Sequence, residues 1–182
     1  MKNLGILILI MLVTASGDIY AQEKKSRKER RQEQAEKVQK MVEAQNYYFI
    51  AQQAIPMSMR SINLTSEYDL CVNNNNVIAY LPYFGRAYTA SPDPEEGGIK
   101  FDSKDFDYRL ENAKKGGWIV HFTIKDAKRR INMILHISTL GSASLSVNDD
   151  SRQTIKFNGY IEERKKTIFD FGDISFVDIL EN

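Results

Sequence analysis

Residues 77–88 read Val77-Ile78-Ala79-Tyr80-Leu81-Pro82-Tyr83-Phe84-Gly85-Arg86-Ala87-Tyr88. The first five suit a pleated, half-buried strand. Just upstream, Tyr68-Asp69-Leu70-Cys71-Val72 is a second such run, and Asn73 to Asn76 separate the two. Asparagine tolerates left-handed backbone and closes tight turns, so the pair predicts an antiparallel hairpin. Pro82 has no amide hydrogen to give, so the ladder stops or reaches an edge there.

The chain downstream repeats the pattern. Gly98 to Phe101 is a short strand after the polar loop 88–98, which holds Pro92, Pro94 and three carboxylates. Phe106, Tyr108 and Leu110 alternate with Asp105, Asp107 and Arg109. Trp118, Val120, Phe122 and Ile124 share one face of the next strand, and Ile131, Met133, Leu135 and Ile137 one face of the strand after it. Ala143 to Val147 and Thr154 to Asn158 follow. Short alternating strands with a turn about every ten residues mark an all-β barrel or sandwich. About eight strands are expected.

Upstream, Tyr47 to Ala51 reads as the first strand, limited by Pro56. Residues 57–65 fit either a loop or an extended crossing. Glu23 to Glu43 is dense in charge, free of Gly and Pro, and carries Glu33–Lys37 and Glu36–Lys40 pairs in the favourable order for a helix. Ala35, Val38, Met41 and Val42 form a narrow apolar stripe. The C-terminal half of this helix should therefore dock, with the first half solvated. A basic arm for anionic lipid or polysaccharide and a plain solvated spacer are the two readings of that first half.

Lys2, the apolar run Leu4 to Val13 and a small-residue end at Ala21 form a secretory leader. The run is too short to span a bilayer. The end of the leader carries no cysteine directly after a small residue, so lipid anchoring is not expected. The mature chain is expected in the periplasm or outside the cell, with no membrane span. The organisation expected is residues 1–21 as signal peptide, 22–46 as charged helical segment, 47–161 as β domain and 162–182 as an unassigned tail.

Composition sets the remaining bounds. The chain has 182 residues, 42% of them hydrophobic and 27% charged, with a net charge of +1. That supports one domain with a real core, and nothing in the balance calls for nucleic acid. The single cysteine, Cys71, cannot form an internal disulfide and reads as a small buried hydrophobe.

The order of these features resembles a bacterial secreted family, domain of unknown function 4251. The matching pieces are the leader and charged helix, Asn46 to Phe49, Tyr68 to Leu70, Leu81 to Tyr88, Gly98 to Phe101 and Gly141 to Leu145. The likeness runs from about Glu33 to about Ile161, and the residues beyond do not fit it. The resemblance implies a periplasmic or secreted location and a compact antiparallel domain of lipocalin-like kind. It implies no chemistry.

Tyr83, Phe84, Arg86 and Tyr88 are the first candidates for a binding site. A guanidinium among aromatic rings can stack on a planar ligand or clamp a carboxylate or phosphate. The competing reading is a tyrosine corner whose phenols bond to backbone while Arg86 pairs with the acidic loop. His121 and His136 fall on one face of neighbouring strands, but two nitrogens do not make a zinc site. Asp102, Asp105 and Asp107 cluster without a calcium-loop pattern and read as a solvated edge. No phosphate loop, dinucleotide fingerprint or nucleophile elbow occurs. No catalytic residue, metal or cofactor is assigned. The leading expectation is non-enzymatic binding of a small or extended ligand at the aromatic/Arg corner. The alternative is a cell-envelope protein-interaction or scaffolding module. An enclosed cavity would favour the first, an exposed apolar patch the second.

Overall fold

The structure is a computed structural model that describes residues 26–86, 88, 97–127 and 130–164. The leader, most of the polar loop after Tyr88, and the tail from 165 onward lie outside the described residues. Among the described residues one helix, α1 (Arg27–Glu43), precedes ten strands: β1 (Tyr47–Pro56), β2 (Ile62–Asn63), β3 (Asp69–Val72), β4 (Val77–Pro82), β5 (Gly98–Ser103), β6 (Phe106–Asn112), β7 (Trp118–Ile124), β8 (Ile131–Ile137), β9 (Ser142–Asp149) and β10 (Ile155–Glu163).

All ten strands belong to one antiparallel sheet, in the order β5-β4-β3-β1-β10-β9-β8-β7-β6, with β2 added to β1. The two outermost strands, β5 and β6, are consecutive in the chain and separated only by Lys104 and Asp105. A sheet whose two edges are joined by two residues must curl until they meet. The result is a nearly closed barrel, the wrapped form in which an antiparallel sheet leaves little edge.

The corner between those edges has its own clamp. Asp126, in the turn after β7, accepts the Ser103 hydroxyl and the backbone N–H groups of Lys104 at 3.0 Å and Asp105 at 3.2 Å. Lys125 N–H donates to the Asp105 carbonyl at 3.0 Å.

The interior is filled by alternate residues of the strands. Phe49, Leu70, Phe122, Leu135, Leu145 and Phe157 are among those fully buried, and Val38, Met41 and Val42 of α1 join the same core. Burying side chains of this size stabilises by about 1.5–3 kcal/mol each before entropy is counted. The C-terminal half of the helix docks as its stripe predicts. Its end is closed by Gln45, at φ 48°, with Gln45 N–H donating to Val42 and Asn46 N–H to Met41. That is a Schellman end with a glutamine where glycine is commonest.

The expected hairpin forms. Asp69–Val72 pairs with Val77–Tyr80, and Asn75 N–H donates to the Asn73 side chain at 2.7 Å inside the turn. Pro82 is the last residue of its ladder, opposite Gly98. Ten strands stand where about eight were expected. Residues 57–65 hold the extra strand β2, and β1 runs on past Ala51 to Pro56 through a bulge, its register shifting between Ala51 and Gln53. β10 likewise continues to Glu163.

Candidate functional site

The run after β4 divides into two residues turned inward and two turned outward. Tyr83 and Phe84 are half-buried and pack against the core. Arg86 is exposed, and Tyr88 is 70% exposed. Pro82 ends the ladder and Gly85 lets the chain fold back. A Cβ at Gly85 would sit 2.7 Å from the Tyr83 phenol oxygen.

Tyr83 holds the corner together. Its hydroxyl lies 3.0 Å from the Arg86 carbonyl and 3.1 Å from that of Gln153, so one proton is shared between two acceptors. Partial burial raises the pKa of this phenol, against the pull of the Gln153 bond and of Arg152. Two backbone bonds tie the run to the β9–β10 turn: Tyr88 N–H to Ser151 O at 2.8 Å and Gln153 N–H to Arg86 O at 3.2 Å. The phenol therefore does what the competing sequence reading expected. The second half of that reading turns on the acidic loop at positions 93–96, which lies outside the described residues.

A different arginine lies at the centre. Arg152 is 6% exposed and sits over the Tyr83 ring, 4.9 Å from its centroid. Its Nη1 donates to the Gly98 carbonyl at 3.0 Å, and its Nε lies 4.0 Å from the carboxylate of Asp149, which is also 6% exposed. Asp149 in turn accepts Ser151 N–H at 2.9 Å and the Ser151 hydroxyl at 2.7 Å. Sequence reasoning missed Arg152 and Asp149. They stand in a polar turn, where nothing in residue type separates a buried ion pair from solvated charge.

A second loop reaches the same turn. Ser58, after β1, donates to the Gln153 side chain at 2.8 Å. Its neighbours Met57 and Met59 are 74% and 52% exposed. The loops after β1 and β4 thus converge on the β9–β10 turn at residues 151–153. They present Arg86, Tyr88 and two thioethers to solvent around a buried Arg–Asp–Tyr support.

The other candidates fall elsewhere. His121 and His136 do share the outer face, offset diagonally, with His121 opposite Ile134 and His136 opposite Ile119. His121 Nε2 lies 3.7 Å from Glu111. No cluster of three His, Cys, Asp or Glu suited to a metal occurs among the described residues. Asp105 and Asp107 both face Lys125, at 3.9 and 2.7 Å, and Asp102 accepts from Asn76 at 3.2 Å. The carboxylate that clamps the β5–β6 corner, Asp126, was not among the three singled out. Cys71 is buried, and burial raises its thiol pKa. An open depression of about 460 Å³ crosses the outer face of β8–β10, lined among others by His136, Ser138, Ser142, Ser144 and Asn158. No helix among the described residues is long and apolar enough to cross a membrane.

A single antiparallel sheet curled into a side-chain-filled barrel, with one helix packed on its core, defines a small all-β barrel domain. The chain belongs to the family described as Domain of unknown function (DUF4251), whose sequence model matches residues 29–161. Its fold is similar to the crystal structure of a DUF4251 family protein from Bacteroides eggerthii DSM 20697. The TM-score is 0.57 at 18% identity, over 71% of this chain and 87% of that one. No curated protein matches the chain.

Proposed function

We propose that this protein is a non-enzymatic binding module of the cell envelope, periplasmic or secreted, that takes an extended ligand on the loop rim around residues 83–88. The observation that carries this reading is the division of labour at the corner. Tyr83 is fixed from below by Arg152 and the β9–β10 turn and Phe84 packs on the core, while Arg86 and Tyr88 stand in solvent on that base. A preorganised backbone presenting a guanidinium beside an aromatic ring suits a ligand with an anionic group and a flat face. The filled interior favours a rim-bound, extended ligand over a small molecule enclosed in the barrel. The leader at residues 2–21 supports the location.

The test is native mass spectrometry of the protein purified from its own envelope fraction, alongside Arg86→Ala and Tyr88→Ala. A bound non-protein species on the wild type that is lost from both variants is the expected result. A ligand retained by both variants places binding elsewhere.

One observation favours the protein-interaction reading. Met57, Met59 and Tyr88 expose large apolar side chains on loops that meet at one turn. Adaptable thioethers beside an aromatic are common in protein-docking surfaces. A protein partner recovered in the same spectra, and lost on Met57→Ser with Met59→Ser, would move the assignment there.

A further inference from the structure

The first turns of α1 carry a charge pattern that the rim site does not use. Ser26 and Glu29 close the helix start reciprocally: Ser26 N–H donates to the Glu29 carboxylate at 2.8 Å, and Glu29 N–H to the Ser26 hydroxyl at 3.2 Å. This capping box fixes where the helix begins, and it turns the acidic side chain of the first turn, Glu29, back onto the helix end. Arg27, Lys28, Arg30 and Arg31 remain. All four are exposed, and among the described residues no carboxylate pairs with them.

Successive helical residues turn by about 100°, so Arg30, Arg27, Arg31 and Lys28 follow one another around an arc of about 160°. Gln32 and Glu29 occupy the opposite side. From Ser26 to Gln34 there is no apolar residue. The segment is therefore a cationic half-cylinder with nothing to insert into hydrocarbon, unlike an amphipathic membrane helix.

We propose that the cationic face of residues 27–31 docks on an anionic phospholipid surface, held by charge alone. Charge complementarity selects the occupant: a bilayer rich in lipid phosphate offers a plane of negative charge to a linear array of cations, and each Lys or Arg near such a surface contributes about fivefold in binding. The leader reading takes the mature chain across a membrane into the cell envelope, where anionic lipid surfaces lie within its reach. This docking is separate from the rim and stands or falls without it.

The experiment is co-sedimentation of the full chain with vesicles of one part phosphatidylglycerol to two parts phosphatidylethanolamine. Pure phosphatidylcholine vesicles report whatever the apolar leader contributes. Replacing Arg27, Arg30 and Arg31 together by Gln should weaken binding to the anionic vesicles by about 100-fold, at about fivefold per charge. The matching Lys triple should bind like the wild type. Salt well above physiological strength should remove the difference between the two vesicle types. The substituted side chains are exposed, so an unchanged thermal melt controls for folding. Equal binding to both vesicle types, undiminished binding by the Gln triple, or loss in the Lys triple overturns the proposal. So does tighter retention of the wild type on duplex DNA than on anionic vesicles at matched salt, which would assign the face to nucleic acid.

Discussion

The guanidinium of Arg152 lies over the ring of Tyr83, 4.9 Å from its centroid; the Tyr83 hydroxyl bonds to the Arg86 carbonyl in the loop that carries the candidate site, and Arg152 donates to the Gly98 carbonyl at the start of β5. Arg152 also neutralises Asp149, which is almost as deeply buried. Breaking a buried ion pair by removing one member costs about 3–5 kcal/mol where the other is left uncompensated. Asp149 keeps its two bonds from Ser151, so Arg152→Met should cost about 3 kcal/mol or less in urea unfolding. Tyr83→Phe keeps the ring and loses only the shared hydroxyl bond, so it should cost about 1 kcal/mol. Equal losses for the two variants would mean that the phenol, and not the arginine, organises the corner.

At Gly159 the β1 backbone leaves no room for a side chain on β10. A Cβ there would lie 1.8 Å from the Ile50 carbonyl oxygen, a backbone atom that cannot swing away. The same ladder carries the bulge next to Ala51, its partner. Gly159→Ala should therefore destabilise by about 3 kcal/mol or more, the upper range for overpacking. Gly97 is the control: nothing lies within 4 Å of its Cβ position, so Gly97→Ala should change the urea midpoint little. A Gly159→Ala variant with the wild-type midpoint would show that the two strands can part locally at no cost.

Most strands could be read from the sequence because their alternation is unbroken, as in Trp118 to Ile124 and Ile131 to Ile137. β1 was read short for a definite reason. Its bulge inserts one extra residue, so Ala51 and Ala54 are both buried three positions apart and the two-residue period slips. The four-residue β3 was legible only because the Asn73 to Asn76 turn announced its partner. The Tyr83 corner was legible as aromatic and Arg-rich. Its support was not, because Arg152 acquires its role only when the β9–β10 turn folds beneath a loop about 70 positions away. Asp126 was hidden likewise. Its three donors belong to residues 103–105, which reach it only once the sheet has curled.

Asp126 gives the barrel seam a pH dependence. The Ser103 hydroxyl lowers its pKa most, and the Lys104 and Asp105 N–H groups add to this. A carboxylate with a lowered folded-state pKa contributes stability above its unfolded value, and that contribution fades as the pH falls through the folded one. The window therefore lies below about pH 4. The side chain is exposed, so the effect is modest, about 1 kcal/mol after solvent screening. Asp126→Asn should be less stable than the wild type at neutral pH, and the two should converge in acid. A gap that persists well below pH 4 would mean that the seam is held by groups other than the ionised carboxylate.

Tyr47 and Tyr108 form a short relay that fastens the helix end to the barrel. Tyr108 donates to the Val42 carbonyl at 3.1 Å, so at the 3.4 Å contact between the phenols Tyr47 must be the donor. The two variants are then unequal. Tyr47→Phe leaves Tyr108 still bonded to Val42, whereas Tyr108→Phe strips the buried Tyr47 hydroxyl of its acceptor as well. Tyr108→Phe should cost about 1–3 kcal/mol and Tyr47→Phe less, because an orphaned buried donor costs more than a removed one. Burial raises both pKa values, that of Tyr47 well above the usual phenol value. A group with a raised folded-state pKa gives stability that is complete below its unfolded pKa and is lost as the pH climbs past it. Stability should therefore decline above about pH 10, by at most about 1.4 kcal/mol per pH unit for each of the two phenols. In Tyr47→Phe that slope should fall by one phenol's share. An alkaline limb as steep in the variant as in the wild type would mean that Tyr47 ionises without unfolding the chain, which its complete burial argues against.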